Sequence, residues 1–359
     1  MSKSKQFALN KLYIDLQAIA HNYQTIQKFA GNKVECTANI KSNAYGLGVL
    51  PIMRCLSMSG CNKFFVTTLD EALELRHSLS ITDEIYVLNG VALGEEAEFA
   101  QNHIMPVLNT KAQYEIFNNY CRKKNRNFYA LLNIDTGVNR FGLSIAEAME
   151  IAAQDASIRK IKIHFIISQL AYGSILDKQQ LALMHQLKTA FQVPISFADS
   201  NSLCLGSDYH FDIMRLGIIL YGCAPEELNL KKAVSLTSSI IQIRELTEDC
   251  FIGHNNGYKI AKNTIIATIP IGYADGLHRT LSNKAICYIN GHPVPVIGDI
   301  SMDLTVIDVT NIPKEDLVLG AEVELLGKNA SIETMAQQAD TTRHDILVSL
   351  SSRLHRIYQ

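Results

Sequence analysis

The sequence predicts an α/β fold, with an N-terminal (β/α)₈ barrel followed by a domain made mostly of β-strands. Two features of the chain predict it. Up to about residue 225, short β-branched runs alternate with helical stretches, as in parallel strands joined by helical crossovers. Beyond that point the runs become alternating strands separated by glycine turns, and helical patterns return only near the end of the chain.

Eight β-rich runs make up the predicted barrel. They lie near residues 34–40, 63–67, 84–88, 105–108, 128–134, 161–168, 195–199 and 211–215. An open doubly wound sheet is the alternative, but no GxGxxG motif follows the first of these strands. We expect a tail over residues 1–10, the barrel over 11–227 and the second domain over 228–359, with 11–15 forming a strand that can pair with the second domain.

The composition restricts the class of partner. The 359 residues are 47% apolar and 19% charged, enough for about two globular domains. The net charge of −2 and the scattered lysines and arginines disfavour nucleic acid or an anionic membrane as a partner. No apolar run reaches the roughly 20 residues of a membrane span. We expect a cytoplasmic protein with reduced cysteines, and no spacing of histidines and cysteines is typical of a metal site.

Lys41 is the first candidate for chemistry. The stretch A-N-I-K-S-N-A-Y-G-L-G at 38–48 predicts a buried strand, one lysine, a glycine-rich turn and a helix that begins near Val49. A lone lysine at a strand end usually extends to solvent. Here it lies at the carboxyl end of the first barrel strand, the face that carries the chemistry in such barrels. A desolvated lysine with a lowered pKa can attack a carbonyl carbon.

The loops after the seventh and eighth barrel strands can bind an anion. Residues 198–202 (A-D-S-N-S) and 215–218 (R-L-G-I) offer small side chains, backbone N–H groups and a hydroxyl. Loops at these places often bind phosphate in (β/α)₈ barrels. A lysine on the first strand together with a phosphate site here is what pyridoxal 5'-phosphate (PLP) requires.

Six motifs occur along the chain in an order that carries a family resemblance. They are K-S-N-A-Y-G-L-G at 41–48, F-F-V-T-T-L-D-E-A at 64–72, I-D-T-G-V-N-R-F-G at 134–142, M-R-L-G-I-I-L-Y-G at 214–222, I-G-Y-A-D-G at 271–276 and I-S-M-D at 300–303. With them the chain resembles the alanine racemase family, PLP enzymes of fold type III, over nearly its whole length. The resemblance implies a cytoplasmic homodimer that racemises a small amino acid, with L-alanine to D-alanine expected, and that supplies peptidoglycan precursors in a bacterium.

The resemblance also implies a role for each site residue. Lys41 would hold PLP covalently and act as one of two opposed bases that exchange the substrate's α-proton. The cofactor-binding residues would be Lys41, Tyr45, Arg140, Gln169, Ser200, Arg215, Gly217 and Ile218. Arg215 would donate to the pyridine nitrogen and leave it unprotonated, because a guanidinium gives up no proton in this range. Arg140 would also bind the substrate, and Tyr273 and Met302 would complete the substrate pocket from the partner subunit.

The second base departs from the family pattern. Counting back from Tyr273 without a gap, the family's catalytic tyrosine falls on His254. Either His254 replaces the phenol as the base, or Tyr258 supplies a hydroxyl from a shifted position. A histidine suits the task, because its ordinary pKa of about 6.5 lies near neutral pH.

Three further positions differ from the family. Gln169 stands where the family has a histidine that contacts the catalytic tyrosine, so Gln169 and His254 can be a paired exchange. Asn133 stands in place of a lysine that can be carbamylated to steady the neighbouring arginine, and either an anion or the amide itself can fill the gap. Asp199 replaces an asparagine and adds negative charge near the expected phosphate site.

These departures leave other functions open. One is a PLP-dependent lyase or aldolase acting on a β-hydroxy amino acid. Another is a racemase of a different small amino acid, such as serine. A PLP-binding protein without enzymatic activity is a further hypothesis, but single-domain proteins of that kind lack the second domain predicted here.

Overall fold

The computed structural model describes residues 8–155, 158–223, 228–253 and 257–359. After a first strand, β1 (Lys11–Ile14), eight parallel strands close into a barrel. They are β2 (Glu35–Asn39), β3 (Lys63–Val66), β4 (Glu84–Val87), β5 (Ile104–Leu108), β6 (Phe128–Asn133), β7 (Ile161–Ile167), β8 (Ile195–Asp199) and β9 (Ile213–Leu216). The closed barrel confirms the predicted fold class, and the strand bounds lie close to the predicted ones.

Helices connect most of the barrel strands. They are α1 (Leu16–Ala30), α2 (Lys41–Tyr45), α3 (Val49–Met58), α4 (Leu69–Arg76), α5 (Glu96–Gln101), α6 (Lys111–Lys123), α7 (Ile145–Ala152) and α8 (Ser174–Phe191). Side-chain caps begin several of them: the Asp15 carboxylate accepts from the Ala18 N–H at 2.8 Å, and Thr68 and Glu71 form a reciprocal capping box. In the described part of the chain, no helix has both the length and the apolar character that crossing a membrane requires.

The inside of the barrel is filled by side chains rather than solvent. Residues from six of the eight strands form this inner cluster, which consists of Phe65, Tyr86, Val107, Leu131, Phe165, Ile167 and Ile213. Large apolar groups interdigitating in this way leave no channel along the axis. Ligand space within the barrel therefore lies at its mouth, where the strands end.

The second domain is built on a nine-stranded sheet, which confirms the expected mostly-strand architecture. Its strand order is β11-β14-β17-β16-β15-β18-β10-β1-β19. The strands are β10 (Val234–Ser239), β11 (Gln242–Glu245), β14 (Ile265–Ile269), β15 (Ile286–Ile289), β16 (His292–Ile297), β17 (Thr305–Asp308), β18 (Glu322–Leu326) and β19 (His355–Tyr358). A separate hairpin joins β12 (Cys250–Ile252) to β13 (Tyr258–Ile260), and two helices, α9 (Ile332–Gln338) and α10 (Arg343–Ser349), precede β19.

The first strand of the chain belongs to this second sheet. β1 runs antiparallel to β10 and parallel to β19. The chain then passes through α1 into the barrel, while β19, near the C-terminus, lies beside β1. This arrangement brings the C-terminal residues close to the mouth of the barrel.

Candidate active site

Lys41 lies at the mouth of the barrel, two residues after the end of β2. Burial lowers the pKa of its ammonium group below the ordinary value, and the positive charges of Arg140 and Arg215 act in the same direction. Glu71 opposes them with its negative charge. The net effect raises the fraction of neutral amine, which is the form that attacks carbonyl carbon and accepts protons.

A left-handed turn follows the lysine. Residues 42–45 all have positive φ, between 52° and 58°, although none is glycine. Each left-handed residue costs about 1–2 kcal/mol, so the surrounding structure has to impose the turn. Within it, the Ser42 N–H donates to the Glu71 carboxylate at 2.7 Å. The Asn43 side-chain oxygen accepts from the Val49 N–H at 2.8 Å, which ties the turn to the start of α3.

The C-terminal strand also holds this turn. The Arg356 guanidinium donates to the Gly46 carbonyl at 2.6 Å and 3.0 Å. The Tyr358 hydroxyl donates to the Leu47 carbonyl at 2.9 Å. Gly48 has φ +106°, and a Cβ there would lie 2.0 Å from the Tyr358 hydroxyl, so only glycine fits. The second domain thus buttresses the segment that carries Lys41.

A cradle for an anion lies in the same cavity, where the end of this turn meets the loops after β8 and β9. The Gly217 N–H donates to the Ser200 hydroxyl at 2.9 Å. A Cβ at Gly217 would lie 2.3 Å from the hydroxyl of Tyr45, so the three residues meet closely. Tyr45 is buried, and this burial raises the pKa of its phenol, which therefore stays protonated as a donor. Ile218, which follows in the chain, is fully buried.

His344 borders the same chamber, and sequence reasoning missed it. It lies in the first turn of α10, and its ring centroid is 5.8 Å from that of Tyr45. Partial burial lowers the pKa of its imidazole, assisted by the positive charges of Arg343 and Lys41. No spacing in the sequence marks this residue, because it reaches the barrel only through the packing of the second domain. Lys41 lines two adjoining parts of this chamber, of about 240 Å³ and about 470 Å³.

Arg215 is buried beneath the cavity at the end of β9. One terminal nitrogen donates to the Ser196 carbonyl at 2.6 Å and to the Ser196 hydroxyl at 2.8 Å. The other donates to the Ser168 carbonyl at 2.7 Å. Burial lowers the pKa of this guanidinium, whereas the nearby Asp199 carboxylate opposes that effect. The remaining edge of the guanidinium lines both parts of the cavity and can donate to a bound ring.

Two of the positions that depart from the family pattern contact each other. The Gln169 amide donates to the Asp199 carboxylate at 2.6 Å. Tyr172 donates its hydroxyl to the other oxygen of the same carboxylate. His254, the expected partner of Gln169, lies outside the described residues. The predicted pairing of Gln169 with His254 therefore stays a prediction, and the partner seen for the Gln169 side-chain amide is Asp199.

Asn133 uses both of its N–H groups within the protein. They donate to the Asn109 side-chain oxygen at 2.9 Å and to the Phe141 carbonyl at 3.0 Å. Asn109 is buried, and its own amide donates to two backbone carbonyls, which fixes which end of each amide is which. The Asn133 side chain is thus held by contacts within the protein, and whether an anion also binds beside it stays a prediction. Arg140 lines the same part of the cavity and is exposed to it.

The expected substrate residues of the second domain do not line this cavity. Tyr273 is 45% exposed and Met302 is 52% exposed. They lie next to each other, because the Tyr273 N–H donates to the Ser301 carbonyl at 3.1 Å and the Ala274 N–H donates to the Met302 carbonyl at 3.0 Å. Tyr258, in β13, is also exposed. A single chain does not bring these residues to Lys41.

The residues at the mouth of the barrel fit PLP. Lys41 offers an amine for an aldehyde, Arg215 offers N–H groups for a ring nitrogen, and the absence of a side chain at Gly217 lets the Tyr45 and Ser200 hydroxyls approach its backbone, where they can bind a phosphate. In addition, the side-chain oxygen of Asn39 is buried without a hydrogen-bond partner among the described residues, and it lines the cavity. Such an orphaned acceptor needs a donor from a bound group.

Comparisons with known proteins agree with this site. Residues 14–225 match the alanine racemase N-terminal domain, and residues 233–358 match the alanine racemase C-terminal domain. An alanine racemase of Rickettsia akari is 37% identical over 98% of this chain and 99% of its own length. A catabolic alanine racemase of Agrobacterium fabrum is 36% identical over 98% of this chain and 92% of its own.

Solved structures give the same result. The crystal structure of alanine racemase from Bartonella henselae, which has covalently bound pyridoxal phosphate, superposes with a TM-score of 0.93 at 36% identity, covering 98% of this chain and 100% of that one. The biosynthetic alanine racemase of Pseudomonas aeruginosa superposes with a TM-score of 0.90 at 27% identity, with the same coverage. On its domains, its full-length relatives and its PLP-compatible site, this chain belongs to the alanine racemase family.

Proposed function

We propose that this protein is a PLP-dependent isomerase that interconverts L-alanine and D-alanine. The observation that carries the proposal is the placement of Lys41, whose pKa is lowered, in one cavity with the Tyr45–Ser200–Gly217 cradle. Relatives that match along the full chain are alanine racemases, and this disfavours a lyase acting on β-hydroxy amino acids.

Lys41 is the base on one face of the substrate. PLP, when bound, withdraws electrons from the α-carbon and so makes its proton removable. The Lys41 Nζ would hold the cofactor covalently in the resting enzyme, and its free amine would take or return the α-proton. Arg215 would donate an N–H to the ring nitrogen and keep its own proton, since a guanidinium remains charged in this range. Arg140, exposed at the cavity wall, binds the substrate carboxylate.

The cradle binds the cofactor's phosphate. Tyr45 and Ser200 offer hydroxyl groups, and Gly217 and Ile218 offer backbone N–H groups. His344 adds an imidazole at the same end. Because these groups come from the loops after β2, β8 and β9 and from α10, both domains contribute to cofactor binding.

The opposite face of the substrate needs a second base, which we assign to His254 from the partner subunit of a homodimer. Tyr258 is the other candidate. The support for a dimer is that Tyr273 and Met302 are exposed on one chain and lie away from its own Lys41 cavity. A second subunit that covered this surface would bring them to a neighbouring cavity, as the family resemblance implies.

The setting that we propose is the cytoplasm of a cell that needs D-alanine, with peptidoglycan precursors as one use. The similar proteins include both a catabolic and a biosynthetic alanine racemase. Either metabolic direction is therefore compatible with the same site.

The test is proton exchange in deuterated water. Purified protein loaded with PLP is incubated with L-alanine or D-alanine, and the α-proton signal is followed by NMR, with inversion checked by chiral chromatography. Loss of the signal from both enantiomers is expected. Exchange from one enantiomer alone would contradict a second opposed base, and faster release of an aldehyde from threonine would support the lyase.

A further inference from the structure

We infer that Gln169 and Asp199 form a positioning pair. Their hydrogen bond fixes the positions of Arg215 and of the loop at residues 198–202, which carries Ser200 of the phosphate cradle, for cofactor binding. The inference rests on the proposed function, because the bound group is PLP. It assigns a joint role to two positions at which this chain differs from its family's pattern. Neither residue needs to touch the reacting carbon for the pair to matter.

The pair connects the carboxyl ends of β7 and β8, which Arg215 also connects. Arg215 donates to the Ser168 carbonyl, directly before Gln169, at 2.7 Å, and to the Ser196 carbonyl in β8 at 2.6 Å. Asp199 is the last residue of β8 and lies beside Arg215 in the strand pairing. The Gln169–Asp199 bond of 2.6 Å therefore closes a second bridge between the same loops. Ser200, part of the phosphate cradle, follows Asp199 immediately.

Asp199 also organises the loops on either side of it. One carboxylate oxygen accepts from the Asn201 N–H at 2.9 Å and from the Ser202 N–H at 3.3 Å, and Tyr172 donates its hydroxyl to it. Tyr172 has φ +57°, a conformation that a non-glycine residue adopts only when its surroundings hold it. One carboxylate thus orders residues 199–202 and the loop that carries Gln169.

A carboxylate at this place also affects how strongly the cavity binds a phosphate. Asp199 is the one acidic side chain among the described residues that line the larger part of the cavity. Its hydrogen-bond donors in that part of the chain are neutral: an amide, two hydroxyls and backbone N–H groups. A negative charge at this place, next to the phosphate cradle, opposes phosphate binding, while the geometry that the carboxylate imposes supports it.

A swap of the two groups tests the pair. Gln169→Glu places two carboxylates in contact, so PLP should dissociate at least about tenfold more readily. Asp199→Asn should keep a hydrogen bond, because the Gln169 amide can turn over, and the lost charge and the weakened backbone hydrogen bonds act in opposite directions, so its PLP dissociation constant should stay within about twofold of wild type. The double variant restores one carboxylate and one amide in reversed order, and its PLP dissociation constant should return to within about threefold of wild type.

The dissociation constants are measured by titrating PLP into the apo-protein and following its absorbance, and each variant's unfolding temperature shows that it is folded. Tyr172→Phe, which removes a different donor from the same carboxylate, is the matched control and should weaken binding less than Gln169→Glu. Additive effects in the double variant would overturn the pairing. If wild type binds PLP but does not racemise alanine, the proposed function is wrong, while the dissociation constants still decide whether the pair exists.

Discussion

At the phosphate end of the cavity, the groups that the proposed function uses come from one chain and are held by burial or hydrogen bonds. At the substrate end, the expected residues of the same chain are exposed. Tyr45 is buried and Gly217 is bonded to Ser200. By contrast, Tyr273 and Met302 face solvent. In the proposed homodimer, one subunit would suffice to bind the cofactor, while the chemistry would depend on a second subunit. The predictions below separate these two requirements.

The largest effect on activity is expected from replacing Lys41, which serves both cofactor attachment and proton exchange. Lys41→Ala removes the base and the covalent attachment, so α-proton exchange should fall by about 10⁴-fold or more. The cradle remains, so PLP should still bind, more weakly and without a covalent link. Proton exchange is measured by NMR, and PLP binding is measured by the PLP absorbance that stays with the protein in gel filtration. Lys63→Ala is the control, because Lys63 lies at the start of β3 and pairs with Glu35 at 2.7 Å.

A cradle variant should affect cofactor binding first. Gly217→Ala introduces a Cβ that would lie 2.3 Å from the Tyr45 hydroxyl, so the PLP dissociation constant should rise by about 100-fold. Adding Tyr45→Phe removes the clashing oxygen and should recover part of the loss. Gly173→Ala is the control, because its nearest atom is an ordinary contact at 3.9 Å. Unchanged PLP binding in Gly217→Ala would mean that the cradle lies elsewhere.

A mixing experiment tests whether the substrate end is shared between subunits. Lys41→Ala and Tyr273→Ala are each expected to have low activity. If Tyr273 serves the partner's cavity, a mixed dimer contains one intact site of two, so the purified mixed dimer should have about half of wild-type activity. Dimers are formed by co-expression with two different tags, and racemisation is assayed after purification. No recovery would place Tyr273 in its own subunit's site or outside any site.

The smallest effect concerns the pH at which PLP attaches. Neutral amine attacks the aldehyde, so the attachment rate should rise with pH through the Lys41 pKa, which lies below its ordinary value of 10.5. Arg140 lowers that pKa, so Arg140→Met should move the midpoint to higher pH. Glu71 raises it, so Glu71→Gln should move the midpoint to lower pH. Stopped-flow absorbance gives both midpoints, and shifts in the same direction would contradict the assigned charges.

The barrel and the lysine could be predicted from the sequence because their signals are local. Strand runs, the capping box at Thr68 and the turn after Lys41 each depend on residues close together in the chain. The family resemblance added Arg215 and Ser200, which the structure places around one cavity with Lys41. The expected link between Gln169 and His254 stays a prediction, since His254 lies outside the described residues.

The sequence by itself determined the order of strands and helices, the lysine at the first strand end and the two-domain division, because periodicity and turn chemistry act over a few residues. Only the tertiary structure decided that Gln169 bonds to Asp199, that Asn133 bonds to Asn109, and that His344 enters the cofactor chamber. These contacts join loops far apart in the chain, and each depends on how the strand ends and the second domain pack together.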